Sequence, residues 1–181
     1  MADASHRLVV ITGGPGSGKT TLIEALAGAG HAVMPEAGRQ VIRTQLAAGG
    51  QGLPWADGSL FAELMLTQDL RSHTVALARS GLVFFDRGIP DIAGYLALCR
   101  LPITETVERA ARACRYRRTV FIAPPWPEIF TQDAERKQGP AEAQRTYEAM
   151  VATYPRYGYD LLELPRVEVA ERVAFVTRHL S

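Results

Sequence analysis

Two kinds of apolar segment alternate along the 181-residue chain. Leu8-Val9-Val10-Ile11-Thr12, Leu82-Val83-Phe84-Phe85 and Thr119-Val120-Phe121-Ile122-Ala123 are apolar almost throughout, rich in β-branched and aromatic residues, and end on glycine, charge or proline. Runs without polar alternation suit strands covered on both faces. Residues 31–36 and 159–164 complete a set of five predicted strands. Between the strands, apolar residues recur three and four apart, which predicts helices over residues 20–29, 37–48, 60–78, 91–99, 104–114 and 169–180. Strands alternating with helices imply a parallel sheet with right-handed crossovers on both faces, a three-layer α/β domain. Pro124 and Pro125 close the fourth strand, because proline cannot extend a central ladder. Residues 126–157 are polar and charged and are broken by Gly139-Pro140, so they read as an insertion over the site, a mobile lid. No repeat or linker interrupts the chain, which is taken as one domain over residues 1–181.

The composition fits one sizeable core, with 47% of residues hydrophobic. Twenty Lys and Arg against nineteen Asp and Glu leave a formal charge of +1, so no overall field points to nucleic acid or to a membrane as the partner. The densest basic run, Arg109, Arg112, Arg115, Arg117 and Arg118, is interleaved with Glu105 and Glu108 at helical spacing and reads as a solvated face. Cys99 and Cys114 have neither metal nor redox spacing and are expected as buried reduced thiols. His31, His73 and His179 have no metal spacing and are expected to be structural or surface residues. The short polar N-terminus and the brevity of the apolar runs carry the expectation of a cytoplasmic protein.

The first predicted strand leads directly into Gly13-Gly14-Pro15-Gly16-Ser17-Gly18-Lys19-Thr20, which fits G-x-x-x-x-G-K-S/T in full and opens the first helix. The glycines let successive backbone N–H groups turn inward on phosphates, and the helix N-terminus adds its dipole. Lys19 is expected to reach the β- and γ-phosphates of ATP, and the Thr20 hydroxyl to ligate Mg²⁺, with Thr21 completing the nucleotide-binding stretch. A glycine turn that merely opens a helix does not need Lys and Thr in this order.

Asp86 ends the third apolar strand, which places its carboxylate at the C-terminal edge of the sheet on the metal side of the phosphates. The alternative is a helix cap for the segment that follows, a role Asp91 can also fill. Arg87 follows Asp86 where a motor ATPase carries a glutamate that polarises water, which argues against vigorous motor activity. No guanine-type Asn/Thr-Lys-x-Asp motif occurs, and Asp91-Ile92-Ala93-Gly94 is read as a chance match to Asp-x-x-Gly. Glu36 ends the second strand on the same sheet edge, where it can take a hydroxyl proton from an acceptor. Arg39, one turn on, can hold an anionic part of that acceptor. A capping Glu36 and a solvated Arg39 are the competing readings.

Gly13 to Thr20, Pro35-Glu36-Ala37-Gly38-Arg39 and Phe85-Asp86-Arg87-Gly88-Ile89-Pro90-Asp91 together resemble the small predicted ATPases with an AAA-type P-loop domain. These are similar in turn to the P-loop nucleoside and nucleotide kinases, nicotinamide riboside kinase among them. The resemblance covers nearly the whole chain, and its specific part is the phosphate loop. It implies a five-stranded parallel sheet in the order 2-3-1-4-5, ATP and Mg²⁺, and a lid between the fourth and fifth strands. It also implies an acidic residue after the second strand and an acid-Arg pair after the third, matched by Glu36 and by Asp86-Arg87, with Arg87 on the substrate side.

Arg136 is the first choice for a lid arginine that neutralises the transferred phosphoryl group, and Arg145 the second; a solvated helix face is the alternative. Trp55 and Trp126 flank the two segments expected to move, and Trp55 either lies against an acceptor ring or anchors its loop. The function expected is transfer of the γ-phosphoryl group of ATP to a hydroxyl or phosphate on a small, nucleoside-like acceptor. The alternative is a slow NTPase switch in which Glu36 and Arg39 bind a partner.

Overall fold

In the computed structural model, which describes residues 4–130 and 139–180, the apolar runs sit side by side at the centre of the molecule. The elements in chain order are β1 (Leu8–Gly13), α1 (Lys19–Gly28), β2 (Ala32–Met34), α2 (Ala37–Ala48), α3 (Gly58–Leu77), β3 (Val83–Asp86), α4 (Ile89–Leu98), α5 (Glu105–Ala113), β4 (Thr119–Ala123), α6 (Pro140–Thr153), β5 (Asp160–Glu163) and α7 (Val169–Arg178). The five strands are parallel and ordered β2-β3-β1-β4-β5. Ile11 pairs with Asp86 and Gly13 with Ala123, so β1, β3 and β4 run out at one edge, where the phosphate loop begins.

Side chains alternate across this sheet, as strand geometry requires. Leu8, Val10, Phe85, Val120 and Ile122 enter a core covered by α2, α3, α4, α5 and α6. Val9, Ile11, Phe84 and Phe121 enter the opposite core, which is closed by Leu22 and Leu26 of α1 and Val176 of α7. Both faces are therefore dry, which is why the strands carry no polar alternation. Phe84, Phe85 and Phe121 are among the largest fully buried side chains, each contributing roughly 1.5–3 kcal/mol by burial.

Part of the expected lid is core. Residues 140–153 form α6, which buries Ala143, Thr146 and Met150 and packs along α4. The approach is close: a Cβ at Gly94 would lie 2.6 Å from the Met150 Cε, so Gly94 has a packing reason to be glycine. Arg136 lies outside the described residues. Cys99 is exposed and Cys114 half-buried, against the expectation of two buried thiols, because α4 ends at Leu98 and the chain turns out to solvent there. No helix among the described residues is long and apolar enough to cross a membrane.

Candidate functional site

The phosphate loop is held from three sides. Gly18 adopts φ 77°, a left-handed conformation open to glycine at little cost, and caps the N-terminus of α1. A Cβ there would also meet the Arg172 guanidinium at 2.6 Å. Arg172, buried on α7, donates from Nη1 to the Ser17 carbonyl at 3.1 Å and leaves Nε and Nη2 without a partner among the described residues. Its guanidinium lies 5.5 Å from the Trp126 ring centre. Inside the loop, the Lys19 ammonium donates to the Gly14 carbonyl at 2.6 Å and to the Ser17 hydroxyl at 3.3 Å. Burial lowers its pKa to about 7, with Arg87 adding to the effect and Asp86, Glu36 and Asp91 opposing it.

A cavity of about 650 Å³ opens above this loop. Its lining runs from Pro15 to Thr21 and on to Arg39, Arg43, Trp126 and Arg172. A second cavity of about 640 Å³ lies between α2, α3, α4 and α6, with walls that include Ile42, Phe61, Met65, Tyr95 and Met150. Pro15, Glu36 and Arg87 line both cavities, which therefore meet at these three residues.

The junction is a charged network. Glu36 stands at the N-cap position of α2, yet its side chain caps nothing. One carboxylate oxygen lies 3.3 Å from the Arg87 Nε, the other 3.8 Å from the Arg39 Nε. Arg87 has φ 69°, unusual for a residue with a Cβ, and its Nη1 reaches the Asp91 Oδ1 at 3.1 Å. Burial alone disfavours the Arg87 charge, but Glu36, Asp91 and Asp86 overcome that and hold its pKa above the ordinary value. Asp91 also accepts from the Thr12 hydroxyl at 2.5 Å, the Gly88 amide at 2.9 Å and the Tyr154 hydroxyl at 2.5 Å. Asp91 is thus both the N-terminal acid of α4 and the buried anchor of Arg87, a role the Asp-x-x-Gly comparison did not capture.

Asp86 ends β3 opposite Ile11, and its Oδ1 is buried without a hydrogen-bond partner among the described residues. Burial first, and Glu36 second, push its carboxyl up to about 6. Asp86 is absent from the lining of either cavity, whereas the exposed Thr20 lines the first. An unsatisfied carboxylate oxygen at the end of β3 near Lys19 suits Mg²⁺, which takes one or two protein oxygens and completes its shell with phosphate and water.

The other expected residues are spread over the two cavities, the core and the surface. Arg39 lines the first cavity and not the second. Arg145 is exposed and borders the second cavity. Trp55, 61% exposed, borders the same cavity. His73 is buried, with its Nε2 3.0 Å from the Arg115 carbonyl. In the basic run, Arg112 pairs with Glu108, Arg118 with Asp160, and Arg115 stacks on Tyr159. Arg172 and Asp69 were not singled out from sequence. Each sits on an inward helical stripe, Arg172 four residues before Val176 and Asp69 four after Met65, and that spacing was the available signal.

The family model described as an AAA domain matches residues 8–172. The chain is 34% identical over 124 residues to a thymidylate kinase of Xanthomonas euvesicatoria pv. vesicatoria (strain 85-10), covering 60% of this chain and 52% of that protein. The match thus spans about half the length of that relative. Among solved structures, the fold is similar to the NadR protein in complex with NR (TM-score 0.70, 18% identity, 97% of this chain and 51% of that one). It is also similar to deoxyadenosine kinase from M. mycoides (TM-score 0.67, 12% identity, 96% and 98%) and to thymidylate kinase from Ehrlichia chaffeensis (TM-score 0.63, 18% identity, 97% and 98%).

Proposed function

Because the chain belongs to the AAA domain family, matched across residues 8–172, we propose that it is a kinase that moves the γ-phosphoryl group of ATP, with Mg²⁺, to a hydroxyl of a small nucleoside-like acceptor. The observation that carries this reading is the pair of cavities meeting at Glu36 and Arg87. One is lined by a phosphate loop; the other has the volume and the apolar walls of a small-molecule site. A simple NTPase switch has no need of the second. The similarity to thymidylate kinase supports phosphoryl transfer and leaves hydroxyl and phosphate acceptors equally open.

In this reading the loop amides and Lys19 hold the triphosphate, the ammonium leaving the Gly14 carbonyl to follow the phosphates. Thr20 and Asp86 hold Mg²⁺, which neutralises charge on the phosphoryl oxygens when bound. Glu36 accepts the acceptor hydroxyl proton at the junction, and Arg87, fixed by Glu36 and Asp91, supplies positive charge beside it. Catalysis is then mostly positioning and electrostatics, as phosphoryl transfer requires.

The test is ATP consumption across a panel of nucleosides, nucleotides and small alcohols. Strong stimulation by one class supports the kinase, whereas a slow rate indifferent to every acceptor transfers the case to the switch.

A further inference from the structure

The walls of the second cavity are mostly apolar, broken by the Glu36–Arg87–Asp91 network and, apart from it, by Asp69. On α3 it meets Phe61, Met65 and Asp69, three residues spaced four apart on one helix face. Asp69 lies at the inner end. One turn further along α3, His73 packs on Phe85 of the sheet and on Tyr116, with ring centres 6.5 Å and 5.2 Å away. The highly exposed Trp55 marks the outer end. Asp69 itself is 5% exposed. Unlike Glu36 and Asp91, it makes no hydrogen bond or ion pair among the described residues, although the Tyr116 hydroxyl lies within electrostatic range.

Burial pushes the Asp69 carboxyl well above the ordinary carboxylate range, and the charges on Asp91 and Glu36 push the same way. A carboxyl kept neutral presents an O–H donor beside a C=O acceptor. That pair is complementary to a ring edge carrying an N–H next to a hydrogen-bond acceptor. Burying such a group without a partner costs stability, so a fold that keeps it at the end of an open apolar slot leaves it aimed at a ligand.

We propose that Asp69 is the specificity-determining contact of the acceptor cavity, and that it receives the N–H-bearing edge of a planar heterocycle packed against the apolar wall of Phe61, Met65 and Tyr95. The occupant is therefore a nucleoside-like molecule with an amide- or amidine-type ring edge. The proposal rests on the kinase reading only in calling this occupant an acceptor; the binding itself needs no ATP.

The experiment is calorimetric binding without ATP, using nucleosides paired with analogues whose edge N–H is methylated: uridine with N3-methyluridine, adenosine with N6,N6-dimethyladenosine, cytidine with N4,N4-dimethylcytidine. The proteins are wild type, Asp69→Leu and Asp69→Asn. At least one parent nucleoside binds wild type, and its methylated partner binds at least about tenfold more weakly. Asp69→Leu loses both the binding and the discrimination, while Asp69→Asn keeps them, because its amide also offers a donor beside an acceptor. Asp69→Leu melts at or above the wild-type temperature, since no protein partner is lost. The proposal is overturned if no parent nucleoside binds wild type, if methylation changes nothing, if Asp69→Leu binds like wild type, or if that variant is destabilised. Discriminating binding with no stimulation of ATP consumption leaves Asp69 in its role and removes the kinase reading alone.

Discussion

Glu36 and Arg87 face each other at 3.3 Å on the boundary between the two cavities, and neither is held by that contact alone. Arg87 is tied to Asp91 at 3.1 Å, and Asp91 to Thr12 of β1 and to Tyr154 just after α6. A cation placed between two buried acids is a strut as much as a ligand. Arg87→Ala is expected to leave Glu36 and Asp91 uncompensated and to lower unfolding free energy by roughly 3–5 kcal/mol. Urea unfolding measures this. A loss under about 1 kcal/mol means that the pair is screened by solvent and that Arg87 is free to serve substrate alone.

Lys19 is the mobile charge of the phosphate loop. In Lys19→Ala, transition-state stabilisation is expected to fall by roughly 3 kcal/mol, about a hundredfold in rate, by analogy with loss of one preorganised donor. Steady-state ATP turnover with the best acceptor reads this directly. Wild-type turnover in the variant removes the nucleotide assignment of the loop.

Arg172 reaches the same loop from the far end of the chain. Removing its bond to the Ser17 carbonyl in Arg172→Met is expected to weaken ATP binding by about tenfold, within the roughly 1.5–3 kcal/mol range for charged hydrogen bonds. Stability should change little, because two of its buried nitrogens have no partner among the described residues and their desolvation cost disappears with them. Calorimetric ATP binding and thermal melting separate the two effects. A large drop in melting temperature with unchanged ATP affinity makes Arg172 a packing residue.

The central strands were legible because burial on both faces removes polar alternation, and Leu8–Gly13, Val83–Asp86 and Thr119–Ala123 show this plainly. The phosphate loop was legible because its chemistry is local. α6 was not recognised as core because its inward stripe is Ala143, Thr146, Met150 and Thr153, two of them threonines, outnumbered by polar residues on the other faces. The capping role of Asp91 was legible from Pro90 before it, but its role as the buried anchor of Arg87 was not. Its partners Thr12 and Tyr154 lie 79 and 63 residues away, so only the folded chain brings them together. Asp69 reads in sequence as an ordinary polar residue on a long helix, and its meaning appears only when the cavity beside Phe61 and Met65 is seen.

The raised pKa of Asp69 makes a prediction about stability and pH. Its ordinary value is 3.8, and burial raises it in the folded protein, so between these values the folded state binds more protons than the unfolded one. This group's contribution is fully favourable below about pH 4 and declines as pH rises through the folded value. The stability of Asp69→Leu relative to wild type is therefore expected to grow as pH rises from 4 to 8. Denaturant unfolding of both proteins across that range measures it. A difference that is flat with pH means that Asp69 titrates like an exposed acid.

Glu36 and Asp86 are two buried carboxylates on one sheet edge with different proposed tasks. Asp86 has an unsatisfied buried oxygen within electrostatic reach of Lys19, whereas Glu36 is engaged by arginines where the cavities meet. Asp86→Asn is expected to slow both acceptor-dependent transfer and background ATP hydrolysis and to weaken the response to Mg²⁺, since both reactions use the metal. Glu36→Gln should keep background hydrolysis and lose acceptor stimulation by roughly 10²- to 10⁴-fold, the range of general acid-base catalysis. Rates with and without the best acceptor, across Mg²⁺ concentration, separate the two variants. Should Glu36→Gln transfer normally while Asp86→Asn loses only the acceptor reaction, Asp86 is the base, and Glu36 is left as the partner that fixes Arg87.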